Sequence, residues 1–300
     1  MDTTKKPLGV VTMVYRDYFI LERWYGYYAE MIGPENLYIF SHGPDPRHDE
    51  IAKGANVIHI PRDETRYRFE RRRWNMMSGF VTSMLMYYNW MILSDVDEFV
   101  VADPAVSRTV VDHLQTHYWD PKTAPVNIAP LCLDMVHYPQ DETEHIASGD
   151  TILSRRRTFR PNRNYSKPCL VRKPVKFKPG GHANNLGERH LPDHLYMLHL
   201  KYFDRFQMEG RVDMRAPKTE ALNNAVEGPP AYDKRLLSWS NEHQRILQKF
   251  EFMGENIELP ALRAAMRNQT QSGAGVWNYG VHPDARRKLY RIPKRFASVV

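Results

Sequence analysis

Three hundred residues, 42% of them hydrophobic and 26% charged, can bury a substantial core in one large domain or two modest ones. That balance excludes a disordered or fibrous chain, and the net charge of +7 favours anionic partners: nucleic acid, nucleotide phosphates or an anionic membrane face. Cys132 and Cys169 alone imply no disulfide framework, and no apolar run approaches the ~20 residues that span a bilayer. Residues 1–7 lead into a strand without a signal-peptide core, so a cytoplasmic location is expected, with peripheral contact at the inner membrane face through basic segments.

The apolar, β-branched run 8–14 has the character of a buried parallel strand, and Tyr15-Arg16-Asp17 ends it. Helical spacing follows over 19–31 and stops at Gly33-Pro34. Residues 36–40 predict a second strand, which ends in the turn-rich Ser41-His42-Gly43-Pro44-Asp45-Pro46. A third strand covers 56–60, and a long helix, basic at its start and apolar later, covers 62–88. A fourth strand spans 90–94. Alternating short apolar strands and helices predict a parallel sheet with right-handed crossovers, whose ligands bind beyond the carboxyl ends of the strands.

The fourth strand ends in Asp95-Val96-Asp97-Glu98. Carboxylates at the edge of a buried sheet are costly unless something pairs with them. The usual partner is a hard divalent cation, which takes oxygen ligands and often shares a substrate's phosphates. Strand alternation would put Asp95 and Asp97 on one side and Glu98 elsewhere. Tyr15-Arg16-Asp17, Asp45 and the Asp95–Asp97 pair all stand at strand ends and should meet on one rim. No Gly-rich phosphate loop of either common kind is present.

Beyond residue 101 a strand is expected at 126–133, a polar loop at 134–150 and another strand at 194–200. No acidic residue lies between Asp150 and Glu188, a stretch that carries Arg155, Arg156, Arg157, Arg160, Arg163 and Lys167 among its cations. Such a segment should sit near negative charge or remain a solvated loop. Of the 13 histidines, His182 in a Gly-Gly turn and His199 within an apolar strand are the candidates to complete an acidic site. From about 204 the pattern is mainly helical. The interleaved basic and aromatic residues of 286–296 are expected as a helix end packed on the domain, the alternative being an anionic membrane face.

Several of these pieces together resemble a GT-A type glycosyltransferase of the bacterial family-2-like and family-92-like group. They are Val10 to Val14 followed by Glu22-Arg23-Trp24, the run from Trp90 to Phe99, Val175 to His182, and Leu198 to Phe206. The match covers about residues 8–210. Arg16-Asp17 stands where the group often has Asn-Glu, and His199-Leu200 where it often has His-Tyr. The resemblance implies an α/β GT-A fold, a Rossmann-like mixed sheet flanked by helices, with 1–210 catalytic and 211–300 a helical C-terminal extension packed on the same unit. It implies a nucleotide-sugar donor held through its diphosphate on Mn²⁺ or Mg²⁺ by Asp95 and Asp97, with His182 or His199 completing the metal. Arg71, Arg72 and Arg73 would neutralise phosphate. Tyr15, Arg16 and Asp95 would contact the donor, and Asp45 the nucleoside. An inverting transfer to a glycan or lipid-linked acceptor, in bacterial envelope or capsule synthesis, needs a general base. Asp134 is the first candidate and Glu98 the second, with Glu142 and Asp150 behind them. The competing readings are a nucleic-acid-binding protein and a metal-dependent phosphohydrolase or nucleotidyltransferase. Against the former, no recognisable module is present and the basic residues do not follow one helix face.

Overall fold

In a computed structural model, which describes residues 1–62, 69–211, 233–254, 257–265, 270–271, 277–278 and 287–300, strand β1 (Lys6–Val14) is buried from Leu8 onward. Helix α1 (Tyr18–Ile32), β2 (Leu37–His42), α2 (Pro46–Ile51), β3 (Asn56–Ile60), α3 (Phe69–Met84) and β4 (Tyr88–Leu93) follow. Of the helix expected over 62–88, residues 63–68 lie outside the described residues and the helix ends at Met84. The four strands pair in parallel in the order β3-β2-β1-β4.

Strand periodicity explains why helices cover both faces. Val10, Val14, Trp90 and Ile92 share a core with Ile20, Leu21, Trp24 and Tyr28 of α1. Their neighbours Val11, Met13, Met91 and Leu93 pack instead with Trp74, Met77 and Val81 of α3. Each fully buried aliphatic or aromatic side chain contributes about 1.5–3 kcal/mol to this arrangement. Because the connection after β1 runs to one side and that after β3 returns to the other, the strand order switches between β1 and β4. Such a switch point opens a crevice at the carboxyl ends of its two strands. Here those ends carry Tyr15-Arg16-Asp17 and the acidic turn.

After Leu93 the chain leaves this sheet. The Glu98 N–H donates to the Asp95 carbonyl at 3.0 Å, so residues 95–98 close a tight turn that delivers β5 (Glu98–Ala102) to a second sheet. Helix α4 (Val110–His117) follows, with a reciprocal Thr109–Asp112 capping box at its start. The strand expected over 126–133 divides into β6 (Asn127–Ile128) and β7 (Leu131–Val136), which belong to different sheets. Pro130 lies between them and has no N–H to continue a ladder.

The remaining elements are α5 (Ile152–Arg155), β8 (Thr158–Pro161), β9 (Leu170–Val171), β10 (Leu195–Tyr202), α6 (Asp233–Lys249), β11 (Glu251–Phe252), α7 (Leu259–Ala265), β12 (Thr270–Gln271), β13 (Trp277–Asn278) and β14 (Lys288–Arg291). Strand β9 extends the first sheet antiparallel to β4, and β6 pairs antiparallel with β9 at the edge, while among the described residues β12 pairs with β13 alone. The second sheet runs β11-β14-β8-β7-β10-β5 and is also mixed. The fold is thus mixed α/β, two mixed sheets flanked by helices. The tail expected as a helix end at 286–296 is not one over its described residues, 287–296. It forms β14 against β8, then a short 3₁₀ turn, and its Arg295 forks onto Asp103 at 2.7 and 2.8 Å while Arg291 binds Asp141. No helix among the described residues is long and apolar enough to cross a membrane.

One register of the second sheet matters for the site. Glu98 on β5 pairs with His199 on β10, His199 with Asp134 on β7, and Asp134 with Arg160 on β8. Directly paired residues project from the same face of a sheet. Four strands therefore set acid, imidazole, acid and guanidinium in one row.

Candidate functional site

The carboxyl ends of β1 and β2 form an open cleft of about 570 Å³ lined by Tyr15, Arg16, Tyr18, Asp45, Arg62 and the Gly43–Pro46 turn. Asp45 caps α2 by accepting the Arg47 N–H at 3.2 Å, and the Tyr18 hydroxyl donates to it at 2.9 Å. The Arg62 guanidinium lies 3.5 Å from the centre of the Tyr15 ring and bonds His42 Nδ1 at 2.6 Å. Arg16 and Asp17 both take left-handed backbone angles, φ 57° and 46°. Two successive non-glycine residues in that region store strain of about 1 kcal/mol or more each, a cost typical of functional turns. Buried His48 holds the bend, its Nε2 donating to the Arg16 carbonyl at 3.2 Å.

Beside this cleft, three carboxylates of the acidic turn meet three cations. Asp95 binds Arg73 with one oxygen and Lys167 Nζ, at 3.1 Å, with the other. Glu98, fully buried, faces the same Lys167 Nζ at 2.6 Å and accepts the Asp95 N–H at 3.3 Å. The turn, not an extended strand, sets these directions, so Asp95 and Glu98 share one ammonium while Asp97 points to Arg211 at 2.7 Å. Arg211 also reaches Asp17 at 2.8 Å and so ties the end of β1 to the acidic turn.

The electrostatics follow from these contacts. Burial opposes ionisation of Asp95, but Arg73 and Lys167 outweigh it and hold the carboxyl well below its usual range. Asp97 is lowered as well, Arg211 and His199 overcoming the same burial. Glu98 goes the other way: burial, with Asp95 and Asp97 nearby, pushes it up to about 7 against the pull of Lys167. Asp95 has two cations and Glu98 shares one of them, which decides the difference.

On the second sheet, His199 Nδ1 lies 2.8 Å from Asp134 Oδ1. The other Asp134 oxygen accepts from Arg160 Nε at 2.8 Å and Asn162 Nδ2 at 3.1 Å. Against its burial, Arg160 and His199 hold Asp134 far below the ordinary carboxylate range. Tyr165 stacks on the His199 ring at 4.1 Å and meets His182 edge-on at 5.4 Å. His182 is exposed at the margin, with Nδ1 turned to the Asn164 carbonyl at 2.7 Å. Its turn is seated on α3 by Gly181, whose φ of +69° and lack of a side chain let the backbone press against the Trp74 ring.

The expected residues thus fall into groups. Tyr15, Arg16 and Asp45 line the cleft; Asp95, Asp97 and Glu98 form the turn; Asp134 and His199 form the adjoining pair; His182 stands at the margin. Arg71 and Arg72 are exposed on α3, and Arg73, one residue on, is the arginine that reaches Asp95. Glu142 holds backbone groups of β8 and Asp150 pairs with Arg155, both away from the turn. Sequence reasoning placed Asp17 on the rim without a role, and did not single out Lys167, Arg160, Arg211 or Tyr165 as site residues. The one signal for the first two was the uncompensated positive charge of 151–178, where Arg160 and Lys167 prove to pair with the protein's own acids. Arg156 with Asp204 is another such pair, at 2.6 Å.

Among the described residues, no three His, Cys, Asp or Glu side chains converge as an all-protein metal cage. Mg²⁺ and ions of its type commonly take only one or two protein ligands and complete their shell with phosphate oxygens and water. Asp97, with one oxygen on Arg211, and His199, with Nδ1 on Asp134, retain donors of the right chemistry for such a role. Asp95 has both oxygens on cations.

No protein-family model and no curated protein matches the chain. Among solved structures, mannose-1-phosphate geranyltransferase from Thermus thermophilus aligns over 96% of this chain and 73% of its own, at 11% identity and TM-score 0.26. CMP:2-keto-3-deoxy-manno-octonic acid synthetase complexed with CTP aligns over 81% and 86%, at 12% identity and TM-score 0.27. Likenesses this distant carry no argument about this chain.

Proposed function

We propose that this protein is a transferase acting on a nucleotide-linked sugar, and specifically a glycosyltransferase of the GT-A kind. The observation that supports the reading is Arg211 spanning Asp17, at the end of β1, and Asp97, in the acidic turn beyond β4, which ties together the two strand ends that a donor would bridge. A nucleoside suits the cleft, where Tyr15 and Tyr18, each with an arginine over its ring, supply aromatic surface and Asp45 an acceptor. Arg73, Lys167 and Arg211 stand beyond the neighbouring strand end, each paired with carboxylates of the acidic turn. Breaking a sugar–phosphate bond leaves negative charge on the leaving diphosphate, and preorganised cations stabilise charge where it develops. Mn²⁺ or Mg²⁺, shared between Asp97, His199 and the phosphates, would add Lewis-acid stabilisation when bound. A glycan or lipid-linked acceptor and an inverting outcome are the expectations carried from the resemblance.

The test is a thermal-shift screen of UDP-, GDP-, CMP- and dTDP-linked sugars, with and without Mn²⁺. A ligand at 100 times its Kd adds about 2.7 kcal/mol of apparent stability. One donor should shift the wild type and leave the Asp95→Ala, Asp97→Ala variant unmoved. If none does, the donor site is refuted. Pyrophosphate release from a nucleoside triphosphate and a sugar 1-phosphate would instead make the protein a nucleotidyltransferase.

A further inference from the structure

The row Glu98–His199–Asp134–Arg160 assigns hydrogen atoms as well as positions. Asp134 Oδ2 receives two donors, the Arg160 guanidinium and the Asn162 amide, and Oδ1 faces His199 Nδ1 at 2.8 Å. A carboxylate ringed by donors can only accept, so Nδ1 carries the hydrogen. A neutral imidazole has a single N–H, and its Nε2 then carries the lone pair. Tyr165, stacked at 4.1 Å and an 18° tilt, fixes the ring plane. On the side away from Asp134, His199 pairs in register with Glu98, and the next residue, Leu200, donates its N–H to the Asp97 carbonyl at 2.8 Å.

We infer that Asp134, backed by Arg160, is a positioning residue that locks His199 as the Nδ1–H tautomer and presents the Nε2 lone pair toward the Asp97 turn. The inference reassigns the two residues. Asp134 is buried and three donors already hold its two oxygens, so His199 Nε2 is the donor atom we assign to the site. Carboxylate–histidine pairs of this form orient imidazoles that ligate metals, and losing the carboxylate typically costs 10–100-fold in metal affinity. That consequence rests on the function proposed above; the tautomer does not.

Long-range ¹H–¹⁵N correlation spectra of ¹⁵N-histidine-labelled protein near neutral pH, with His199→Gln to assign the signals, test it directly. A pyrrole-like Nδ1 and a pyridine-like Nε2 are expected. A hydrogen on Nε2, or on both nitrogens, overturns the inference. In Asp134→Asn the amide NH₂ would face Nδ1, and the tautomer should reverse. Mn²⁺ binding in the presence of UDP, followed by electron paramagnetic resonance, should weaken 10–100-fold in that variant. Unchanged Mn²⁺ affinity with a folded Asp134→Asn overturns the metal-orienting consequence, and an unreversed tautomer in that variant overturns the inference itself. Should the wild type bind neither Mn²⁺ nor nucleotide, the proposed function fails while the tautomer assignment stands on the spectra alone, which need no variant of Asp134.

Discussion

Lys167 Nζ lies 2.6 Å from Glu98 and 3.1 Å from Asp95, so a single buried ammonium serves two carboxylates. Removing one partner of a buried ion pair leaves an uncompensated charge and costs about 3–5 kcal/mol. Lys167→Met should therefore lower the unfolding free energy by about that amount in urea titration, and adding Glu98→Gln should restore part of it. An unchanged midpoint in Lys167→Met would mean that the pairing contributes nothing.

Glu98 also predicts a pH dependence. Its carboxyl ionises near 4.5 in an unfolded chain and near 7 in the folded one. Between those values the native state holds the extra proton, so this residue's contribution to stability falls as pH rises. His113, pushed down to about 4 by burial, works in the opposite sense over its own range. The clean readout is the difference in Tm between wild type and Glu98→Gln from about pH 4.5 to 7.5, the span of that titration. The variant should gain on the wild type across that window, and parallel curves would refute the buried, proton-holding Glu98. Asp95 and Asp134 are held low, so their contributions persist above the ordinary carboxylate range and vanish only on acidification below it.

Gly181→Ala should disturb the histidine turn through α3. An added Cβ would overlap the Trp74 ring, at a backbone angle alanine resists. The expected loss is about 1–3 kcal/mol, with a change in tryptophan fluorescence as the ring is displaced. Unaltered stability and emission would show that the turn is not seated there.

Arg211 predicts coupling between residues far apart in sequence. Asp17→Asn and Asp97→Asn each remove one of its anchors, so both should weaken nucleoside diphosphate binding in calorimetry. Combined, they should lose less than the sum, because residues that share a partner couple by about 0.5–3 kcal/mol. Strict additivity would separate the cleft from the turn.

The first four strands were legible because their apolar runs are local and uninterrupted. Asn56–Ile60 matches its expected bounds, and the acidic run appears where the fourth strand ends. The direction of each acid was not legible. Two-residue alternation holds only while the chain stays extended, and the Asp95–Glu98 turn breaks it at the residues that matter. The counterions were hidden for another reason: Lys167 lies 72 residues from Asp95 and Arg211 lies 114 from Asp97. No local pattern marks a cation for such a distant partner. The basic segment pointed to negative partners or to a solvated loop, and named no partner.

Strand β14 sits in the second sheet between β8, which carries Arg160, and β11, and the Arg157 N–H groups reach the Ile292 carbonyl just beyond it. The order of synthesis therefore matters to this protein. As the chain emerges, Asp17 and Asp97 arrive long before Arg211, and the outer edge of β8 waits for residues 288–291. Until Arg211 leaves the ribosome the nascent chain carries an unbalanced pair of acids, and until residues 288–291 do so the edge of β8 stays bare. The acidic turn is therefore balanced only after a cation 114 residues further along the chain has joined it.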